Sequence, residues 1–319
     1  MLKNPVQFRA DAADAGQRLD QFLAARLSHL SRMRIARLVA AGACTVNGTA
    51  AHAGYRVKTD DALEIAVGDA DAPNSTTPER VPLEIVFEDD ALVVVVKPSG
   101  MLVHPTRGVK SGTLANALAY HLNRRRLANE EHENASLHQQ ASAASCAETF
   151  VRPGLVHRLD RATSGLMVVA KTQRALSILA RHFHQRLVEK RYLALVHGRI
   201  ERDEQLICAP IGRDPEGRPH WSVTETGKPS QTRLRVLERR AHATLVELEP
   251  LTGRTNQLRI HCAHLGHAIV GDELYGTAES SVRLCLHASR LAFHHPSSGD
   301  WLEFASAPPP ELSPDYFSA

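Results

Sequence analysis

Leu19, Phe22, Leu23 and Leu27 recur at the spacing of one face of a helix, which predicts a helix over Gln17–Leu27. Ser31 is placed to cap a second helix carrying Met33, Ile35, Leu38 and Val39, and Gly42 to end it. Cys44–Val46 then reads as a strand, Asn47-Gly48 as a tight hairpin turn, and Val57–Ile65 as further strand. The first segment, 1–67, is thus expected to be two helices followed by a small sheet.

Residues 68–80 are small, polar and Pro-containing, as in a linker, and a second domain is expected over 81–319. Within it, Ile85–Phe87 and Leu92–Val96 read as a hairpin around Glu88-Asp89-Asp90. A turn follows at Lys97–Gly100, then a helix from Thr113 to Leu118. Residues 127–148 show no apolar period and read as a surface insertion. Beyond it come Leu155–Val156, a β-run at Leu166–Val169, and a helix over Thr172–Leu187 with Ala175, Leu176, Leu179, Phe183 and Leu187 on its apolar side. Tyr192–Val196, Thr232–Leu237, Thr244–Pro250, Ala288–Phe293 and Trp301–Phe304 read as strands, and Asn256–His264 as a helix. The pattern is mixed, with more strand than helix. Without a βαβ repeat or a GxGxxG turn, a dinucleotide-binding fold has little support.

Composition changes this picture in two places. The net charge is only +3, but Arg152–Arg199 holds ten Lys or Arg against Asp160 and Glu189. That cluster fits a footprint for phosphates, with a solvated helix face as the plain alternative. The five cysteines are scattered without a CxxC pair, and the N-terminus shows no long apolar run. A reducing, cytoplasmic setting is expected, without zinc and without a membrane. His104, His261, His264 and His267 lack a companion carboxylate pattern, so no metal is expected either.

The densest polar cluster is His157–Gly165, set between two apolar runs. Asp160, flanked by Arg158 and Arg161, is expected to be held ionised, which suits nucleophilic or base chemistry at a glycosidic centre. On the residues alone, a charged turn with Thr163 and Ser164 bonding the backbone stands equally beside it. The Thr252–Thr255 stretch lacks a Walker lysine and reads as a tight turn presenting Arg254. Lys97 and Lys190 are left as phosphate contacts or surface residues.

The run HRLDRATSGLMVVAK (157–171) resembles the signature of the RluA-type pseudouridine synthases. The likeness continues in VVVKPSGMLVHP before it, and in KRYLALVHG, LTGRTNQLRIHCAHLGHAIVGDELYG and LHASRLAFHHP after it. Residues 17–66 resemble the S4 RNA-binding module through RLDQFLAAR, SRMRIARLVAAGACTVNG and YRVKTDDALEI. The resemblance implies an α+β protein: a mixed, mainly antiparallel catalytic sheet with flanking helices, plus a small α/β S4-like domain. It implies isomerisation of uridine to pseudouridine in structured RNA, without cofactor or metal, by a monomer. Large-subunit, 23S-type ribosomal RNA or its assembly intermediates are the favoured substrate. A transfer-RNA enzyme and a non-catalytic RNA-binding assembly factor are the alternatives.

The resemblance also assigns roles. Asp160 is the catalytic aspartate, and Arg158 the arginine that enters the RNA beside the flipped nucleotide. Tyr192 packs on the target base and assists loss of the C5 proton, and Arg259 pairs with Asp160. Leu286 is a weaker match to the base pocket. Arg161, Arg254 and Lys190 are further candidates for RNA contact, as are Arg32, Arg34 and Arg37 of the N-terminal module. Three positions depart from the family pattern: Asp60 of Asp60-Asp61 where Gly is frequent, Ala162 where Asp is usual, and Asn256 where His is usual. The first is expected to alter one turn, the others only local backbone or RNA contacts.

Overall fold

The computed structural model describes residues 5–27, 30, 32–67, 76–106, 108–135, 151–214, 221–276 and 282–313. The chain divides into two compact units, 1–76 and 77–319.

In the first unit β1 (Val6–Arg9) is followed by α1 (Leu19–Arg26), α2 (Arg32–Ala40), β2 (Cys44–Val46), β3 (Thr49–Ala50) and β4 (Ala62–Ile65). The strands form an antiparallel sheet in the order β1-β4-β2-β3. Leu19, Phe22 and Leu23 of α1 meet Ile35 of α2 and Leu63 and Ile65 of β4 in one closed core, so the helical period read from the sequence is a packing face. Asn47 and Gly48 both have positive φ, 50° and 77°, as a two-residue hairpin turn requires. Asp60 takes φ 67°, which explains why glycine is at home there, and Asp61 follows with its carboxylate fully used. It accepts from Asn47 Nδ2 at 2.8 Å, Tyr55 OH at 3.0 Å and Lys58 N at 2.8 Å. Ser31, the expected cap of α2, lies outside the described residues.

The second unit contains β5 (Glu84–Glu88), β6 (Leu92–Lys97), α3 (Leu114–Ala135), β7 (Gly154–Leu155), β8 (Ser164–Ala170), α4 (Gln173–Gln185) and β9 (Glu189–His197). Then follow β10 (Glu204–Cys208), β11 (Ile211–Arg213), β12 (Trp221–Val223), β13 (Gln231–Arg239), β14 (Ala243–Pro250), α5 (Gln257–His264), β15 (Leu286–His294) and β16 (Trp301–Ala305). Among the described residues ten strands form one sheet, in the order β10-β13-β14-β9-β15-β8-β6-β5, with β16 on β15 and β7 on β8. The pairings are antiparallel except β15 with β8.

The centre of this sheet is buried on both faces, so β6 and β8 read as unbroken apolar runs rather than alternating ones. Leu92 and Val94 face a core closed by Ala175 and Leu179 of α4, while Val93 and Val95 face one closed by Leu114 and Leu118 of α3. Each such side chain contributes roughly 1.5–3 kcal/mol by leaving water. Gly165 has φ 118° and sits where any Cβ would collide with the Ala288 backbone. Its lack of a side chain lets β15 close on β8 immediately after the Asp160 turn.

Some expectations change. Helix α3 runs to Ala135, so residues 127–135 of the expected insertion are helical, while 136–148 lie outside the described residues. Ala, Leu, Asn and Glu in that stretch permit a helix without an apolar face, which periodicity alone misses. Helix α4 stops at Gln185, capped at its start by Thr172 Oγ1 accepting from Ala175 N, and the left-handed Arg186 turns the chain away. Leu187 is therefore 49% exposed instead of completing the apolar face. Strands β10, β11 and β12 carry no clear sequence signal. Of the expected linker, 68–75 lie outside the described residues, while Thr77 and Glu79 are hydrogen-bonded to Asn116 of α3.

Candidate active site

Asp160 lies on the tight turn between β7 and β8, with Thr163 N donating to its backbone oxygen at 3.2 Å. A second turn, just after β6, clamps this one. Gly100 N donates to Arg161 O at 2.8 Å, Arg161 Nε to Gly100 O at 3.0 Å, and Ser99 Oγ to Ala162 O at 2.6 Å. Lys97 is wholly buried, and its ammonium donates to the carbonyls of Pro98, Met101 and Arg161 at 2.7, 2.9 and 3.2 Å. Those three bonds satisfy its three donors, so Lys97 is neither the phosphate contact nor the surface residue expected. Burial lowers its pKa to about 8, against the pull of the Asp160 charge. The sequence alternative for this turn is not what the structure shows. Thr163 Oγ1 is buried without a described partner, and Ser164 Oγ pairs with His287 Nδ1 at 2.9 Å rather than with backbone.

Helix α5 and the turn after it bring the other side chains. Arg259 donates Nε and Nη2 to the two oxygens of Asp272 at 2.7 and 2.6 Å, while its Nη1 stands 3.8 Å from Asp160 Oδ2. Asp272 is completely buried and also accepts from Leu274 N and Tyr275 N, both at 3.0 Å. Although burial opposes ionisation, the bonds and charge of Arg259 keep the Asp272 carboxyl below its ordinary value. Gly271, with φ 77°, precedes it because a Cβ would strike the Arg283 carbonyl. The Tyr275 ring lies 5.2 Å from the Arg259 guanidinium. Gln257 knits the start of α5 to the sheet: its Oε1 accepts from Thr252 Oγ1 and Arg254 N, and its Nε2 donates to Gln231 O and Thr232 Oγ1.

Asn256 is aimed at the carboxylate. With its amide set so that nitrogen faces the acceptor-only carboxylate, Nδ2 donates to Asp160 Oδ2 at 2.9 Å and Oδ1 at 3.3 Å, and its own Oδ1 accepts from Tyr275 OH at 3.1 Å. The expectation that this departure touches only backbone or RNA is thereby corrected.

The ground given for an ionised Asp160 is also corrected: its pKa is not lowered. Burial raises its pKa, and the charges of Arg259, Arg158 and Lys97 offset that only in part, while Asp272 adds to it. The flanking arginines alone suggested the reverse, because sequence does not report desolvation. Tyr192, on β9, feels burial first and the Asp160 charge second, and both raise its phenol above the ordinary value.

The structure thus brings Asp160, Arg259 and Tyr192 together, with Lys97, Asn256, Asp272 and Tyr275 around them. Arg158 is exposed beside them and makes no hydrogen bond or ion pair with a described residue. Leu286 is 3% exposed, in the core that Tyr192 and Ala162 border. Each remaining candidate has its own setting. Lys190 lies 5.8 Å over the Phe183 ring, and Arg161 is bonded to Gly100. Arg254 has its Nε buried without a described partner. Arg34 and Arg37 are on α2 of the first unit, as is Arg32, whose side chain lies outside the described part. His261 is a core residue held by Thr232 Oγ1 and Ala209 O. Sequence reading passed over Asp272 and Tyr275, although both stand in the GDELYG run that carried the resemblance.

Fold and candidate site point to one class: an enzyme in which a half-buried carboxylate, Asp160, has the exposed guanidinium of Arg158 and the ring of Tyr192 near it. The chain belongs to the RNA pseudouridylate synthase family, whose profile matches residues 91–264, with an S4 domain matching 17–63. It is an RNA pseudouridine synthase. A ribosomal large subunit pseudouridine synthase D of Nitrosomonas europaea is 37% identical over 98% of this chain and 87% of its own. An RNA pseudouridine synthase of Bacillus subtilis, YlyB, is 36% identical over 97% of this chain and 95% of its own. The solved structure of human RNA pseudouridylate synthase domain containing 1 superposes with a TM-score of 0.57 at 30% identity, covering 75% of this chain and 88% of that one. Among the described residues no helix is long and apolar enough to cross a membrane.

Proposed function

We propose that this enzyme isomerises uridines of large-subunit ribosomal RNA, with Asp160 as the reacting carboxylate. The observation that carries the reading is the half-buried Asp160 held between Arg259 and Asn256 with Tyr192 beside it. The name of the Nitrosomonas relative and the S4 match support ribosomal RNA as the substrate. A cytoplasmic monomer goes with this reading.

A uridine stacked in RNA is out of reach until it is extruded. Arg158, exposed and uncommitted, is suited to occupy the gap or hold a phosphate. Tyr192 supplies an aromatic face for the extruded uracil. Its raised pKa keeps it a neutral phenol at rest, which favours the platform role over that of a resting base. The N1–C1′ bond breaks, the uracil turns within the pocket and C5 joins C1′, with release of any bond to Asp160 or return of the 2′ proton; C5 then gives up its proton and N1 takes one up. Asp160 acts by adding to C1′ or by taking the 2′ proton to give a glycal, and either needs the ionised form. Arg259, anchored by Asp272, favours that form.

The test is Asp160→Asn. The purified variant is expected to keep its thermal transition and RNA affinity and to form no pseudouridine in a large-subunit ribosomal RNA transcript. Near-normal conversion by the folded variant would overturn the reading.

A further inference from the structure

Asn256 is the residue before α5 and has a left-handed backbone, φ 53° and ψ 21°. Asparagine is a favoured helix N-cap because its side chain can accept from the first backbone amides. Here it makes no such bond. Its side-chain amide is turned to Asp160 and Tyr275 rather than to the helix start. A non-glycine residue in this conformation is strained and persists where its surroundings hold it. What holds it is a chain of three groups: Tyr275 OH to Asn256 Oδ1, then Asn256 Nδ2 to both oxygens of Asp160. The Tyr275 ring is itself seated on Arg259, and its backbone amide is bound to Asp272. One short segment after α5 thus braces both groups that touch the carboxylate.

We propose that Asn256, oriented by Tyr275, is a positioning residue that fixes the Asp160 carboxylate in its reactive orientation and ionised form. This rests on the reading of Asp160 as the reacting group. Arg259 stands off at 3.8 Å, whereas Asn256 is within hydrogen-bond distance, so orientation falls to the amide and charge to the guanidinium. The charged and titratable groups facing Asp160 are Arg158 on its own turn, Lys97 at the end of β6, Tyr192 on β9, Arg259 on α5 and Asp272 after it. Removing the amide leaves these unchanged and takes away a bond made to the ionised form, so protonation of Asp160 becomes easier.

The experiment follows single-turnover release of tritium from C5-labelled uridine in a large-subunit ribosomal RNA transcript, against pH, with the full-length chain. Asn256→Ala is expected to lower the rate at neutral pH on the order of 10- to 100-fold, as for a lost hydrogen bond to a charged group. The acid limb should move to higher pH, the loss should shrink as pH rises, and the RNA concentration for half-saturation should not change. Asn256→His should restore much of the rate, because a ring Nδ1–H stands at the same position along the side chain as the amide nitrogen. Tyr275→Phe should shift the limb in the same direction by a smaller amount, and it carries the test by itself should Asn256→Ala fail to fold.

A uniform loss at every pH, a change in half-saturation alone, or a Tyr275→Phe limb identical to the wild type would overturn the relay. Asp160→Asn run in parallel separates the two claims. Turnover by that variant removes the reading of Asp160, while an inactive Asp160→Asn beside an unshifted Asn256→Ala removes only the relay.

Discussion

Arg259 makes its two short bonds to Asp272, at 2.7 and 2.6 Å, and not to Asp160, which lies 3.8 Å away. The guanidinium is thus fixed by a buried carboxylate whose own backbone bonds lock the turn after α5. Its remaining nitrogen, Nη1, is left to face the Asp160 carboxylate. A planar fork can serve one carboxylate with two bonds and still present charge to another, which a lysine cannot do.

Asp272→Asn should therefore reduce both stability and activity. Breaking a buried pair leaves the arginine uncompensated and costs on the order of 3 kcal/mol. Freed Arg259 should no longer be held at its place beside Asp160, so the saturated rate should fall on the order of tenfold or more. Urea unfolding and single-turnover rates check this, and a variant as stable as the wild type would refute it.

Gly165→Ala should be more damaging than a surface glycine change. The backbone has φ 118° and a methyl group would meet the Ala288 backbone. Separation of β15 from β8 would disturb the Asp160 turn, at a cost of roughly 3 kcal/mol or more. Gly108→Ala, where nothing lies within 4 Å, is the control. Thermal melts of both variants should differ widely.

His157 should make stability fall with acidification. It accepts from Val168 N at 3.0 Å and stacks on Phe183, and burial, helped by the Lys190 charge, lowers its pKa to about 3. An unfolded histidine titrates near 6.5, so the folded state takes up the proton less readily. The contribution is whole above about pH 6.5 and is lost as pH falls towards 3. His157→Gln keeps an acceptor that does not titrate, so its Tm should decline less steeply than that of the wild type between pH 6.5 and 4.5. Parallel slopes would refute the assignment.

Arg158→Ala should leave the melting temperature unchanged, since the side chain is exposed and bonds no described residue. Its single-turnover rate on folded ribosomal RNA should drop on the order of tenfold, with a smaller loss on unpaired RNA, where extrusion is cheap. Arg158→Lys should recover only part, lacking the planar fork. Equal losses on both RNAs would exclude a role in extrusion.

Removal of residues 1–76 should mainly weaken productive binding. The second unit has its own cores and holds Asp160, Tyr192 and Arg259. A tethered binding module raises local substrate concentration without entering the chemical step. The saturated rate should hold while half-saturation rises, and a large fall in saturated rate would show that the first unit helps build the site.

The sequence alone determined what short-range order can encode. The faces of α1 and α4, the Asn47-Gly48 turn and the apolar runs of β6 and β8 were legible because each is set by neighbours a few positions away. The motif around Asp160 was legible because its residues are contiguous. The end of helix α3, 127–135, was not, since a stretch without an apolar period leaves no helical signal, and the edge strand β10 was not, since half-exposed strands carry little contrast. Only the tertiary structure decided who partners whom: Asn256 and Arg259 reach Asp160 from about a hundred residues away, and Lys97 is spent on three carbonyls. It also decided the protonation tendency of Asp160. Charge along the chain pointed one way and desolvation the other, and desolvation exists only once the chain has packed.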